Sequence, residues 1–298
     1  MIGYLFLFVS IVFTGLSGIV SKISEAKKCN PMASSGMLFL WAAALMFCRL
    51  LFTESKLPRV PPLVLVLAIP FGFMAGIALV AFLFAIEYGK IATSWLVVSL
   101  SSIVPAVASI LIYKESPQKQ KAISLFLIGA SLTLLYLDKG AGQETQRQTD
   151  NSMENRRATR KWLRLMILVF FCAAMGAFPL KVLQEAGLSD QYRDEYLFYR
   201  YLAGFLVAAV ILVVKRIGLR RKEIAVGAFL GVSSLLSNLF LSLALAQKIA
   251  GYIAFPVVGI GSTLVVMAAG LLIFRERLTR YGYAGVGLGL LALLLVGI

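Results

Sequence analysis

The side chains best able to bind a solute lie inside long apolar runs of this sequence. Arg200 and Asn238 occupy two neighbouring runs, where a polar group is costly unless it has a partner. A guanidinium can hold a carboxylate or phosphate through two parallel hydrogen bonds, so Arg200 is our candidate substrate anchor and Asn238 a candidate cavity residue. Two other interpretations of Arg200 stay open: its side chain extends to water, or it pairs with Glu195.

Hydroxyl groups in the first apolar run follow helical spacing. Four of them recur at steps of three or four and share one helix face: Ser10, Thr14, Ser17 and Ser21. We expect Thr14 and Ser17 to contact substrate, whereas most serines of this kind bond only to neighbouring helices. Three aromatic residues complete the set of candidate cavity walls: Trp41, Trp95 and Tyr252.

The composition excludes most catalytic chemistry. The chain of 298 residues has no histidine and three widely separated cysteines, which leaves no Ser-His-Asp triad, no Cys-His dyad and no histidine-ligated zinc site. We therefore predict no enzyme, no catalytic residue, no metal ligand and no cofactor. Hydrophobic residues make up 60% and charged residues 14% of the chain. Soluble domains have roughly 45–50% and 25%, so the chain is predicted to lie in a membrane.

Ten runs are apolar enough to cross a bilayer as helices, which need about 20 such residues. The sequence therefore predicts an all-α integral membrane protein with ten transmembrane helices. The predicted spans are Ile2–Ser21, Met32–Phe52, Leu63–Ile86, Ile91–Tyr113, Ala122–Leu137, Trp162–Leu180, Glu195–Val214, Ile224–Gln247, Ile249–Phe274 and Tyr281–Ile298.

A polar segment divides the spans into two similar sets. Residues 138–161 have almost nothing to bury and are predicted to form a linker between 1–137 and 162–298. Short matches recur at a nearly constant shift, among them Lys90-Ile91-Ala92 with Lys248-Ile249-Ala250. Each set has five spans, an odd number, so the second must enter the bilayer from the opposite side. Two inverted five-helix repeats are therefore predicted, as in many secondary transporters.

Prolines and glutamates occupy corresponding positions in the two repeats. Pro105 and Pro256 lie in the fourth and ninth spans, and a proline there frees backbone carbonyls, so both are candidate hinges. Glu115 and Glu276 follow these spans beside basic residues, where an ion pair or a helix-end contact fits better than substrate binding. Glycines four residues apart predict close helix contacts at Gly72/Gly76, Gly227/Gly231 and Gly285/Gly289.

The positive charge of the chain is concentrated between the spans. Lys plus Arg number 29 and Asp plus Glu 14, for a formal net charge of +15. Cations in membrane-surface loops explain this excess better than nucleic-acid binding does, and most follow the odd-numbered spans. The charge count then places both termini outside the cell (inner) membrane. The predicted partners are the lipid bilayer and a small-molecule substrate, without nucleic acid; the sequence indicates no oligomeric state.

Several motifs resemble those of a known family. The run Phe82-Leu83-Phe84-Ala85-Ile86-Glu87-Tyr88-Gly89, then Pro105 and Tyr113-Lys114-Glu115, is similar to the signature of the ten-helix EamA-type branch of the drug/metabolite transporter superfamily. The second half repeats the ending as Phe274-Arg275-Glu276. Gly15 with Lys22 and Gly176 with Lys181 are similar to the ends of the family's first and sixth helices, whereas Thr14 stands where many members have tryptophan.

The resemblance implies a secondary-active or facilitative transporter, often an exporter of amino acids or other small polar metabolites, that works by alternating access. It also implies termini in the cytoplasm, contrary to the charge count. A flippase for a lipid-linked substrate is the alternative within transport. A non-transporting membrane scaffold or receptor is the alternative outside it.

Overall fold

The protein is all-helical in the part of the chain that the structure describes. The structure, a computed structural model, describes residues 2–52, 60–88, 97–98, 101–115, 119–141, 153–273 and 280–297. Ten helices fall within these residues: α1 Ile2–Ala26, α2 Pro31–Phe52, α3 Pro62–Tyr88, α4 Ile103–Tyr113, α5 Lys119–Ala141, α6 Met153–Glu185, α7 Ser189–Val214, α8 Arg221–Ala246, α9 Gly251–Leu272 and α10 Arg280–Gly297.

The all-α membrane class predicted from the sequence is confirmed. Seven of the described helices are long and apolar enough to cross a bilayer: α1, α2, α3, α6, α7, α8 and α9. Large apolar side chains cover the outside of the bundle, as at Leu111, which is 72% exposed. Others fill its interior, as at Met46 and Leu180. The outer surface therefore suits lipid rather than water.

The fourth predicted span is interrupted, so a continuous helix over Ile91–Tyr113 is wrong for the described residues. The backbone turns at 101–102 and α4 follows this turn, whereas 91–96 lie outside the described residues. The Ser101 hydroxyl donates a hydrogen bond of 2.6 Å to the Val98 carbonyl, which competes with helix propagation. Pro105 lies in the first turn of α4, where a missing N–H removes no helical hydrogen bond.

Several helices continue beyond the apolar runs that predict them. α5 ends at Ala141 and α6 begins at Met153, so both extend into the segment 138–161 predicted as a linker. α7 begins at Ser189, ahead of its apolar run, and its backbone leaves helical geometry at Tyr192 (φ −128°, ψ 19°). A helix satisfies its backbone groups in water as well as in lipid, so apolar length sets a lower limit on helix length.

Each helix of the first half (α1–α5) packs mainly against helices of the second half (α6–α10). α1 lies on α8 and α9, α2 on α7 and α8, and α3 on α6 and α7. α4 packs on α9, and α5 packs on α10. Contacts between successive helices, such as α1 with α2, are minor. The two halves are therefore interleaved rather than side by side.

Glycines bring the backbones of these paired helices close together. A Cβ atom at Gly227 of α8 would overlap Met37 of α2. A Cβ at Gly72 of α3 would overlap the main-chain carbonyl of Arg200 on α7. Because lipid is as apolar as the helix surfaces, such close packing is a main source of helix association in membranes.

The two ends of the bundle differ in how their charges are paired. At the end with the α1–α2 and α7–α8 turns, the Lys222 ammonium donates to the carbonyls of Lys27 and Lys28, at 3.0 Å each. At the other end of α2, Arg49 forms an ion pair of 2.6 Å with Asp194. The ion pairs of Arg49, Lys181 and Arg193 all lie at this second end, near α2, α4, α6 and α7.

Substituting one packing glycine tests this arrangement. Gly227→Ala should lower the free energy of unfolding by about 1–3 kcal/mol, because the added methyl overlaps α2. Gly129→Ala is the matched control, since nothing lies within 4 Å of a Cβ built there. Alanine favours a helix over glycine, so the control should be neutral or more stable. Thermal unfolding of the two variants in detergent measures the difference, and equal midpoints would contradict the close α2–α8 contact.

Candidate functional site

Arg200 lies at the centre of a hydrogen-bonded group that joins α7 to α8. Its Nη1 donates to Asn238 Oδ1 at 2.9 Å, and Asn238 Nδ2 donates to the Tyr201 hydroxyl at 3.0 Å and to the Ser234 carbonyl at 2.8 Å. Tyr201 also bonds to the Ser234 hydroxyl at 3.0 Å. The Asn238 amide is thereby held in one orientation, with its oxygen toward Arg200. The two strongest sequence candidates are thus in direct contact.

Much of the Arg200 guanidinium has no partner. Its Nε is buried and unbonded, and a Cβ at Gly176 of α6 would lie 3.5 Å from its Nη2. The ion pairs of the described residues join other groups, and none of them pairs Arg200 with Glu195. A guanidinium offers five N–H donors, so donors remain for a ligand.

The hydroxyl face of α1 contacts α8 next to this group. Ser10 donates to the Ser237 carbonyl at 3.0 Å, and Thr14 and Ser237 share a hydrogen bond of 2.5 Å between their hydroxyls. Ser17 and Ser21 instead donate to carbonyls on their own helix, those of Phe13 and Ser17. The two candidates on this face therefore differ, because Thr14 bonds across helices and Ser17 does not.

A cavity of about 210 Å³ lies between helices of both halves. Its walls come from α1, the turn before α4, α4 itself, α6, α8 and α9. Four lining residues bear hydroxyl groups, Thr14, Ser101, Ser102 and Ser262, and most of the other lining residues are apolar, among them Pro105. On α6, the lining residues Ala173 and Ala177 flank Gly176, the glycine next to the Arg200 guanidinium. Gly176 and Arg200 are not themselves among the lining residues.

The other sequence candidates lie away from this cavity or outside the described residues. Trp41 is on α2, 39% exposed, with its Cβ facing Gly231 of α8. Tyr252 is buried at the start of α9, and Pro256 is buried further along the same helix. Trp95 lies outside the described residues.

A second polar cluster, the end cluster, joins α4, α6 and α9 at one end of the bundle. Lys181 is 3% exposed and lies 2.8 Å from the Glu115 carboxylate and 2.6 Å from the Glu185 carboxylate. Glu115 also accepts hydrogen bonds from Ser109 at 2.6 Å and from the backbone N–H of Gly251 at 3.2 Å. A carboxylate at the start of α9 interacts favourably with the helix dipole.

The surroundings of Glu115 favour its charged form. Burial opposes ionisation, but hydrogen bonds from Lys181, Ser109 and the Gly251 backbone outweigh burial and hold the pKa of Glu115 below its usual range. Glu115 therefore has the pairing and helix-end role that the sequence favours over substrate binding. Within the described ranges, no three Cys, Asp or Glu residues gather in a way that would hold a metal ion.

Sequence reasoning missed the tyrosines around Arg200. Tyr201 connects Asn238 to Ser234, and Tyr196 is fully buried with an unbonded hydroxyl. Tyr196 precedes Arg200 by four positions, a spacing that places both side chains on one helix face. That spacing is visible in the sequence and was the available signal.

Comparisons with known proteins agree with this architecture. Residues 1–137 match the EamA-like transporter family, and 28 chains of solved structures match the chain. One of them, a crystal structure of a protein, is 12% identical and aligns with a TM-score of 0.72 over 99% of this chain and 96% of its own. At that identity the likeness shows the fold alone. No curated protein matches the chain. The family match confirms the resemblance to the drug/metabolite transporter superfamily and indicates a multi-pass membrane transporter.

The end cluster makes a prediction about stability and pH. Glu115→Gln leaves Lys181 with one carboxylate, that of Glu185, and with the neutral Gln184 side chain. We therefore expect a loss of about 2–3 kcal/mol, near the lower limit for breaking a buried pair. Because the pKa of Glu115 is lowered, its stabilisation is complete above the usual carboxyl pKa of about 4.3 and disappears as pH falls through the lowered value.

Thermal unfolding in detergent from neutral to acid pH measures this effect. The deficit of E115Q relative to the unmodified protein should be largest near neutral pH and should vanish at the acid end. Glu185→Gln is the control, since that carboxylate is 37% exposed and its loss should cost less. A deficit of E115Q that is the same at every pH would contradict the role of the ionised carboxylate.

Proposed function

From the premise that residues 1–137 are those of an EamA-like transporter, we propose that the chain is a carrier for small polar metabolites. It moves its substrate by alternating access through the cavity between the two halves. Export from the cell across the inner membrane is the direction that the family resemblance favours. The observation that carries the proposal is a cavity with walls from both halves, lined by apolar residues and four hydroxyl-bearing ones.

The pattern of helix contacts supports two inverted repeats. In two such repeats, each helix of the first half corresponds to the helix five places later: α1 to α6, α2 to α7, α3 to α8, α4 to α9 and α5 to α10. If corresponding helices are exchanged, the α1–α8 contact becomes the α6–α3 contact. The same exchange turns α2–α8 into α7–α3 and α1–α9 into α6–α4, and all of these contacts are present. The α2–α7, α4–α9 and α5–α10 contacts each map onto themselves. Such a relation allows two equivalent shapes, one open to each side of the membrane.

The candidate substrate-binding residues divide into two groups in this proposal. Arg200, Asn238 and Thr14 form the core of the site, because Thr14 lines the cavity and all three residues bond across helices. Ser17, Trp41 and Tyr252 belong to the walls that form as the halves move, and Trp95, outside the described residues, stays a candidate from the sequence alone. Pro105 and Pro256 serve as hinges, since each lies in one of the paired helices α4 and α9.

The size of the cavity favours a compact solute over a lipid-linked one. Its volume of about 210 Å³ lies below the range of roughly 300–1,000 Å³ that is usual for ligand sites. A metabolite of a few heavy atoms fits this space, whereas a lipid-linked sugar does not.

Cysteine labelling from both sides of the membrane tests alternating access. Ser262→Cys places a thiol in the cavity lining, in a background where Cys29, Cys48 and Cys172 are replaced. A membrane-impermeant thiol reagent should modify it from either side of proteoliposomes, and the modification should abolish solute flux. Leu111→Cys is the control on the exposed outer surface of α4, where lipid should prevent modification. Labelling of S262C from one side only, with flux intact, would contradict the proposal.

A further inference from the structure

The charge on Arg200 is not neutralised by any residue that the structure describes. Its one hydrogen bond goes to the neutral amide of Asn238, and its Nε is buried without a partner. A charged group held away from water is costly unless an opposite charge or a full set of hydrogen bonds compensates it. The half-buried guanidinium, whose other contact is the Tyr201 ring 5.9 Å from its Cζ, therefore keeps donors for an anion from outside the chain.

A second unsatisfied polar group lies one helical turn away on the same face of α7. Tyr196 is fully buried, and its hydroxyl has no hydrogen-bond partner. Buried hydroxyls in proteins are normally bonded, so each exception requires an explanation. Arg200 and Tyr196 thus place two unfilled donors on adjacent turns of α7.

The predicted spans place no acidic residue on the helix face that carries Arg200 and Tyr196. Of the 14 acidic residues, only Glu195 falls within a predicted span. It is buried in α7, but it lies five positions before Arg200, a spacing that places it off the face shared by Tyr196 and Arg200. The cavity lining consists of hydroxyl, small and apolar residues, without a carboxylate. An ammonium group on the substrate would have hydroxyls and backbone carbonyls alone to replace its water.

We propose that the site selects small organic monoanions, in which a carboxylate binds Arg200 and the rest of the molecule carries no charge. The inference rests on the proposed carrier function and narrows its substrate class, because a zwitterionic amino acid would bring an ammonium group that the site does not match. The carboxylate takes two donors of the guanidinium, Asn238 fixes the orientation of the arginine, and Tyr196 donates to the second carboxylate oxygen.

A carboxylate fits this site better than a phosphate. A phosphate monoester carries about −1.5 to −2 charges at neutral pH, whereas Arg200 supplies one positive charge and no other cation bonds to its group. Binding of a phosphate would leave net negative charge in an apolar bundle, which is unfavourable.

Solutes of equal skeleton and different charge provide the test. The first set is lactate, alanine, lactamide and alaninamide, which are anionic, zwitterionic, neutral and cationic at neutral pH. The second set repeats these four head groups on a phenylpropanoid skeleton, and methyl phosphate is added as a phosphate probe. Binding is measured by ligand-induced thermal stabilisation of the purified full chain, and transport by flux into proteoliposomes. The carboxylates of at least one set should bind roughly tenfold or more tightly than their zwitterionic and cationic counterparts.

Three variants assign the preference to named groups. Arg200→Gln should weaken carboxylate binding by roughly tenfold or more, and Arg200→Lys should weaken it less because the charge remains without the planar fork. Tyr196→Phe should weaken it severalfold while the unliganded protein is equally or more stable, because the lost hydroxyl has no partner. Arg216→Gln, at an exposed arginine between α7 and α8, is the matched control and should behave like the unmodified chain.

The outcomes separate this inference from the carrier proposal. Equal binding and flux of anions and zwitterions, or tighter binding of methyl phosphate, would overturn the inference and leave the carrier intact. Selective binding of carboxylates without flux of any solute would support the inference and overturn the carrier. If R200Q fails to fold, R200K and Y196F still test the inference. Unchanged carboxylate affinity in both variants would overturn the assignment of carboxylate binding to Arg200 and Tyr196.

Discussion

Close backbone contact between helices of different halves is the constraint on which the rest of the structure depends. Inside a bilayer, apolar side chains gain little by leaving lipid, so helices associate where small residues permit close approach. Gly72 of α3 meets the main-chain carbonyl of Arg200 on α7, so the contact that holds these helices together also fixes the backbone of the arginine. Packing and site geometry therefore share the same atoms, and a change in one alters the other.

Charged groups are arranged differently at the ends of the bundle and at its centre. In the end cluster, Lys181 has two carboxylate partners and Glu115 caps α9, so the charges compensate each other and join three helices. At the centre, Arg200 has a neutral partner whose orientation is fixed by Tyr201 and Ser234. The end cluster therefore stabilises contacts between helices, whereas the group around Arg200 holds the arginine in a fixed orientation with unused hydrogen-bond donors.

The sequence predicts the helices well, because long apolar runs are typical of membrane-spanning helices. It also indicates Arg200 and Asn238 as candidate substrate-binding residues, since a polar residue within an apolar run is costly and therefore rare. It does not predict the turn before α4, where a serine hydroxyl bonds to a local carbonyl. Nor does it predict that Tyr252 lies near the end cluster, because that position depends on how α9 packs against α4. The position of such a residue depends on contacts between helices that are distant in the sequence, and the periodicity within one helix does not predict those contacts.

The interleaving of the halves has a consequence for biosynthesis. Each of the first five helices finds its main partner among the last five, and successive helices of the first half contact each other little. A nascent chain that has inserted only α1–α5 therefore exposes its glycine-lined contact faces to lipid and to other polypeptides. The native packing of α1–α5 is therefore complete only after the second half has been synthesised.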